Sequence, residues 1–474
     1  MLSPLIRRAR KTRTANNDAR SNERGVTIAL VALSMVGIIG MAALSIDVGS
    51  LYQAKAEAQR AADAGALTAA RLISISGATG DPNNTTASSW AATCGTSGTA
   101  TLAAKAVAQT QWNFVSGVVA TITVGYGPGG AASDCSSLAT PGSAFSVNPT
   151  VTVSVQNPKV PTFFAHVFGL FNSNWNATSV SATATAEVYN PSGSALLANG
   201  MVPVQPRCVK PWVIPNIDPQ HAGNTFVSTA GAITNPGIFG SNNGVIDETF
   251  TIAADCVPGA TGCQVVGTSM YDNPPIYNST KLPAIDQPDV EYVPALVQNP
   301  SSAVPNGATA DDYQEAIAGC DQTTVYACGT ALGAQVDLTE NPVNPAGAGG
   351  DTPAGVAYLT NSTVGADTLL PATYPFQITV GAGNPLAGQG VTGLITASNS
   401  IVTIPIYDNS TLPTLTPPQP QITILGFLQV FINTVNADGS LNVTVMNVSG
   451  CSNAAGTQGV NGSSPVPIRL ITPP

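Results

Sequence analysis

VTIALVALSMVGIIGMAALSI, residues 26–46, is the stretch whose reading decides the architecture of this chain. Its twenty-one residues carry no charge, with Arg24 ahead of them and Asp47 directly after. As a helix rising about 1.5 Å per residue it reaches roughly 30 Å, the thickness of a bilayer's hydrocarbon core. Val26, Ile28, Leu30, Val36, Ile39 and Ile46 are its candidate membrane-anchoring side chains. Two other readings compete. A cleaved secretory signal has a shorter apolar region, about 7–15 residues, ending at a small-residue cleavage site. A buried helix of a soluble core is usually shorter than a membrane span. Here the run is long and continues without proline into DVGSLYQAK, residues 47–55, so the expectation is a retained single crossing.

Charge gives the crossing a direction. Ahead of it, Arg7, Arg8, Arg10, Lys11, Arg13, Arg20 and Arg24 face only Asp18 and Glu23, a balance of +5. The remainder holds nine Lys or Arg against 24 Asp or Glu, a balance of −15. The positive-inside rule keeps residues 1–25 in the cytoplasm and exports everything past residue 46, to the periplasm or the cell surface. A basic tail can also serve as a nucleic-acid arm, but cations flanking a span have the simpler role of orienting it. The acidic exported part lacks the clustered Lys and Arg that phosphate binding needs, so no nucleic-acid partner is expected.

Charged residues make up 9% of the chain, against the usual quarter, while Gly (46) and Pro (37) are abundant. That texture is of an exported, β-rich protein, and 474 residues leave room for roughly two to four domains. Eight cysteines lie beyond the apolar run: Cys94, Cys135, Cys208, Cys256, Cys263, Cys320, Cys328 and Cys451. In an oxidising compartment the default is four disulfides. Eight cysteines allow 105 pairings. Proximity favours Cys256 with Cys263, Cys320 with Cys328 and Cys94 with Cys135, which leaves Cys208 for Cys451. A metal centre is not expected: no Cys-x-x-Cys occurs, and His166 and His221 have no second ligand at zinc-type spacing.

Past the apolar run the helix is expected to continue. Residues 54–70 (AKAEAQRAADAGALTAA) include nine alanines and no proline. Leu51, Ala58, Ala62, Gly65, Ala69 and Leu72 fall on one face at steps of three and four, a stripe that admits another backbone closely. Its occupant stays open between the chain's own sheet and a helix of another subunit. Residues 74–100 read as loop and 103–112 as a short helix. Alternation predicts strands at 118–124, 150–155 and 179–189, with a helix at 160–169 between the last two. Beyond residue 190 short β-type runs recur at 226–228, 264–266, 335–338, 356–359 and 376–380, and residues 311–318 alone read as helix. The blocks 401–406 (IVTIPI), 421–432 (QITILGFLQVFI) and 441–448 (LNVTVMNV) read as the core of a β-sheet. The expected organisation is a tail (1–25), a transmembrane helix (26–46), a pilin-like α+β module (47–190), a Pro-rich disulfide-containing β/loop domain (191–345) and a β-rich C-terminal domain (346–474).

Glu23-Arg24-Gly25, Asp47-Val48-Gly49, Tyr52 and QRAADAGALTAA at residues 59–70 resemble the N-terminal module of TadE/TadG-like proteins of the tight-adherence (Flp, type IVc) pilus assembly system. Residues 160–188 are similar to the end of that module. The resemblance implies a structural or accessory pilus subunit in the bacterial inner membrane, in contact with the lipid bilayer and with other pilus assembly subunits or copies of itself. Two features of relatives are absent. An Asp-x-Ser-x-Ser metal site is not found, and a cut after Gly25 would put Leu30 where pseudopilins of this system carry Glu, which favours an uncleaved anchor.

Catalytic motifs are missing from the sequence. Neither a Gly-x-Ser-x-Gly elbow nor a Gly-x-x-x-x-Gly-Lys phosphate loop occurs, so no enzyme, cofactor or small-molecule substrate is expected. Asp311 and Asp312 read as the acidic first turn of a helix rather than as an acid pair. Two alternatives to the accessory subunit stand beside it: a surface adhesin or binding module, and a large filament-forming pilin.

Overall fold

The structure, a computed structural model, describes residues 15–80, 87–112, 120–140, 143–160, 178–189, 206–221, 224–229, 231–239, 244–254, 265–266, 269–270, 289–298, 300, 312–326, 334–337, 340, 342, 350–371, 375–409, 421–436, 439–451 and 465–471. Among these the α-helices are α1 (Ala15–Ile75), α2 (Ala87–Cys94), α3 (Thr99–Gln111), α4 (Ala144–Val147), α5 (Asp312–Ala318) and α6 (Asp351–Thr360). The strands are β1 (Thr121–Tyr126), β2 (Thr150–Val160), β3 (Thr178–Val188), β4 (Trp212–Pro215), β5 (Thr249–Ala254), β6 (Val265–Val266), β7 (Ser269–Met270), β8 (Asp289–Pro294), β9 (Thr368–Leu369), β10 (Ile378–Thr379), β11 (Leu394–Ile395), β12 (Ile401–Tyr407), β13 (Ile424–Val435), β14 (Leu441–Gly450) and β15 (Ile468–Ile471). The class is α+β: a long apolar N-terminal helix, small sheets and a β-rich remainder.

Two compact units divide the chain. The first holds α1 as far as Ala61 together with residues 109–121 and 155–182. No proline interrupts α1, so its backbone hydrogen bonds run unbroken through the apolar stretch. Ala54, Ala58 and Ala61 are fully buried, and Lys55 Nζ donates to the carbonyl of Ser181.

The second unit holds the rest. Its centre is a closed barrel in the order β12-β13-β14-β5-β8-β4. Neighbours β12–β13, β13–β14, β14–β5 and β4–β8 are antiparallel, whereas β5–β8 and β12–β4 are parallel. The ring closes where β12 pairs with β4, Ile406 opposite Ile214 and Tyr407 opposite Pro215. Strands β4, β5 and β8 precede residue 345 and β12, β13 and β14 follow it. Several strands bury both faces: Trp212 and Ile214 join one apolar cluster with Phe250, Tyr292 and Leu428, while Val213 joins another with Tyr407, Ile424 and Phe427. Two-sided burial explains why 421–432 reads as a continuous apolar run rather than as alternation.

A four-stranded sheet in the order β1-β2-β3-β15 lies in the module expected to be pilin-like. Its edge strand β15 comes from the far end of the chain and pairs antiparallel with β3, Ile468 opposite Val188. Arg469 donates from Nε and Nη2 to Glu187 Oε2, each at 2.8 Å, and lies 5.5 Å from the Tyr189 ring centroid.

Three local expectations are revised. Residues 74–100 are not all loop, because α1 runs to Ile75 and α2 forms around Trp90, fully buried 5.7 Å from the Phe145 ring. Residues 356–359 lie in a helix, not a strand. Asp351 stands at the positive end of α6, and Gly355 lets Ile317 of α5 approach so closely that an added Cβ would sit 2.7 Å from it. Packing against a neighbouring helix overrides the β preference of Val356 and Tyr358. Among the described residues the runs at 226–228 and 335–338 form isolated bridges only, Val227 with Ile233, Gln335 with Gln421 and Val336 with Ala295. The helix read at 160–169 lies, apart from Val160, outside the described residues, and Val160 itself ends β2.

Gly77 closes α1 against the barrel. Its φ is +74°, and an added Cβ would lie 2.4 Å from Ile246 Cγ2 and 2.9 Å from Met446 O. Asn447, fully buried, donates from Nδ2 to Ser74 O at 2.7 Å and to Thr79 Oγ1 at 3.3 Å, so a carbonyl in the last turn of the helix is satisfied by a barrel strand. Gly77→Ala is expected to cost about 2–4 kcal/mol through left-handed strain and overpacking together. A urea midpoint within error of the parent would show that this approach is not required.

Candidate functional site

The apolar half of α1 has no intramolecular cover. From residue 26 to residue 46 every side chain is exposed except the half-buried Ala43. Val26, Ile28, Leu30, Val36, Ile39 and Ile46 are between 54% and 71% accessible. The hydroxyl of Ser34 donates to Val31 O at 2.8 Å, so it needs no water. In a low-dielectric surround such internal satisfaction is obligatory. Asp47, directly after the run, is buried at 3% accessibility.

The small-residue stripe is occupied from within. Ala58, Ala62, Ala66 and Ala69 are fully buried, Gly65 is buried, and Leu51 and Leu72 are half-buried. A Cβ on Gly65 would meet Ala104 O at 3.1 Å and Ala108 Cβ and Val153 Cγ1 at 3.2 Å. Thus α3 and β2 take that part of the face, and Leu72 packs on the barrel core. Of the two occupants left open by the sequence, the chain's own elements fill the stripe around Gly65 and Leu72.

Disulfides join Cys94 to Cys135, Cα atoms 5.6 Å apart, and Cys208 to Cys320, 4.2 Å apart. The second pairing corrects both the Cys320–Cys328 and the Cys208–Cys451 expectations. Proximity in sequence is a weak guide where the fold sets loop ends side by side, here across 112 residues. Cys451 is also disulfide-bonded. Cys256, Cys263 and Cys328 lie outside the described residues, as does His166.

Beside the Cys208–Cys320 bridge, Lys210 is buried with Nζ donating to the carbonyls of Ala316, Ile317 and Gly319 at 3.3, 2.7 and 2.5 Å. A cation at the C-terminal end of α5 answers its unpaired carbonyls. Burial lowers the Lys210 ammonium to about 7, with Asp321 pulling the other way.

A second buried polar group follows β4. Asp218 Oδ1 accepts the backbone N–H of Gln220 and of His221, both at 3.1 Å. Its Oδ2 lies 2.8 Å from His221 Nδ1 and accepts Asn235 Nδ2 at 3.1 Å. Glu248, one residue ahead of β5, accepts the Gln220 N–H at 2.9 Å through Oε1. One ligand atom from each of Asp218, His221 and Glu248 lies within 4.8 Å of the other two. Burial, and next the neighbouring Asp218 carboxylate, raise Glu248 to about 9. Sequence spacing passes over this group. Asp218-x-x-His221 is its only local signal, and Glu248 arrives through the fold. Asp312 lies in the first turn of α5 as expected, and Asp311 is outside the described residues.

Residues 25–72 match the Tad family model, "Putative Flp pilus-assembly TadE/G-like". No curated protein and no solved structure matches the chain. The matched segment covers the exposed apolar run and most of the buried stripe of α1.

Lys210 gives a pH dependence with a fixed sign. The unfolded lysine holds its proton to about 10, so between about 7 and 10 the unfolded state binds more protons and stability rises with pH. The urea midpoint should therefore climb more between about pH 7 and about pH 9 in the native chain than in Lys210→Met. Equal slopes would mean that Lys210 keeps its proton in the fold.

Proposed function

We propose that this chain is a membrane-anchored, envelope-exposed structural or accessory subunit of a tight-adherence (Flp, type IVc) pilus assembly system. Residues 26–46 cross the bacterial inner membrane once, residues 1–25 remain cytoplasmic, and the disulfide-bonded remainder is exported. The observation that carries the reading is the uninterrupted, uncovered apolar surface of α1 within a segment that matches a TadE/G-like family model. Its apolar side chains need a non-aqueous surround, and an unbroken helix is one of the two backbone forms that lipid tolerates. The cationic flank supports the orientation. Other pilus assembly subunits are the expected partners, met through the membrane helix or through the exported surface.

A filament-forming pilin is the second reading, favoured by a long helix whose C-terminal part lies on a small sheet through Gly65 and Val153. It differs in location: sheared surface fibres would then contain this chain as their main component.

Val36→Arg with Ile39→Arg tests the anchor. Each arginine at mid-span costs about 2.5–3.5 kcal/mol of insertion. The double variant should leave the membrane fraction or fail to be exported, while the parent resists carbonate extraction. A variant still fully embedded, or a parent found soluble in the cytosol with reduced thiols, would overturn the proposal. N-terminal sequencing of the extracted parent reports whether Gly25 is a cut site.

A further inference from the structure

We propose that Asp218, His221 and Glu248 form a binding site for one divalent transition-metal ion, with Zn²⁺ the best-matched occupant. The three residues are 0%, 8% and 0% accessible, and one ligand atom from each lies within 4.8 Å of the others. Two polar atoms of the group, Glu248 Oε2 and His221 Nε2, have no hydrogen-bond partner among the described residues. Buried polar atoms are rarely left so, and two carboxylates side by side in a dry interior need a shared proton or a cation between them. A divalent ion is such a cation.

The donor set selects the class of ion. One imidazole nitrogen with two carboxylate oxygens suits Zn²⁺ or its first-row neighbours, whereas Ca²⁺ and Mg²⁺ take oxygen ligands almost alone. Zinc bonds of about 2.0–2.2 Å require the three groups to draw inward slightly from their present spacing. Supporting groups are already in place. Asn235 Nδ2 and the Gln220 and His221 amides hold Asp218, and the Gln220 amide also holds Glu248 Oε1. Outer hydrogen bonds of this kind orient ligands and tune affinity. The described cysteines are all in disulfides, so no described thiol competes for the ion.

The site joins two segments of the barrel. Asp218 and His221 lie in the turn that leaves β4, which Asn224 closes by donating to His221 O at 2.9 Å, and Glu248 stands at the entry to β5. A bound ion therefore ties strands that are distant in sequence, a structural role independent of the pilus assignment.

The test uses the full chain in detergent, without an affinity tag, stripped with chelator and titrated calorimetrically with ZnCl₂, MnCl₂ or CaCl₂ alone. One Zn²⁺ per chain is expected, with the melting temperature raised by roughly 5–10 °C at a hundredfold excess over Kd. Glu248→Gln and His221→Gln should each weaken binding at least about tenfold. Zinc-edge absorption spectroscopy of the loaded parent should show nitrogen and oxygen ligands without sulfur, a readout that needs no variant to fold. Absence of saturable one-to-one binding, a preference for Ca²⁺, sulfur in the coordination shell, or undiminished affinity in a folded variant would each overturn the assignment. In the first case a shared proton, not a metal, bridges the carboxylates.

Discussion

The last turn of α1 is fixed to the barrel by one side-chain amide. Asn447 reaches from β14 to the carbonyl of Ser74, and Gly77 turns the chain away at an angle that only a residue without Cβ takes without strain. A helix leaves its final carbonyls unpaired, so a helix that ends inside a protein needs a partner there. Ile75, in the same turn, joins the apolar core with Ile246 and Met446. The segment that matches the TadE/G-like model therefore ends within a few residues of a built attachment to the barrel.

That attachment gives the two parts of α1 different neighbours. Upstream, bulky apolar side chains face outward, and upstream of residue 47 no charge interrupts them back to residue 26. Downstream, alanine and glycine bring the backbone close to α3 and β2 around Gly65. Large residues at Gly65 would force those elements apart, because the nearest atoms already stand 3.1–3.2 Å from where a Cβ would go. The switch from large to small apolar residues marks a change of surround, from the proposed lipid to packed protein.

Two buried charged assemblies then set conditions on the barrel. Lys210 meets three carbonyls at the C-terminal end of α5, beside the Cys208–Cys320 bridge, and the Asp218–His221–Glu248 group joins the exit of β4 to the entry of β5. Removing charges from water is costly unless each has a partner. Both assemblies lie where chain segments from distant parts of the sequence meet, so both report on whether the barrel has closed.

Local sequence settled what depends on neighbours within a few residues. The apolar length of 26–46, the alanine-rich continuation without proline, the acidic start of α5 and the β character of IVTIPI and LNVTVMNV are all periodic or compositional properties, and each corresponds to an element. Apart from the Cys94–Cys135 bridge, sequence alone left the associations across distance open. Nothing near Trp212, Phe250 or Val290 announces that these short strands complete a barrel with β12, β13 and β14, or that Ile468 to Ile471 joins a sheet begun at Thr121. The β-type residues of α6 became helical because α5 offered a packing surface, and Cys208 met Cys320 because the fold closed the loop between them. Tertiary structure decided these matters for one reason: their free energy comes from burying groups against partners tens or hundreds of residues away, whose positions no local pattern encodes.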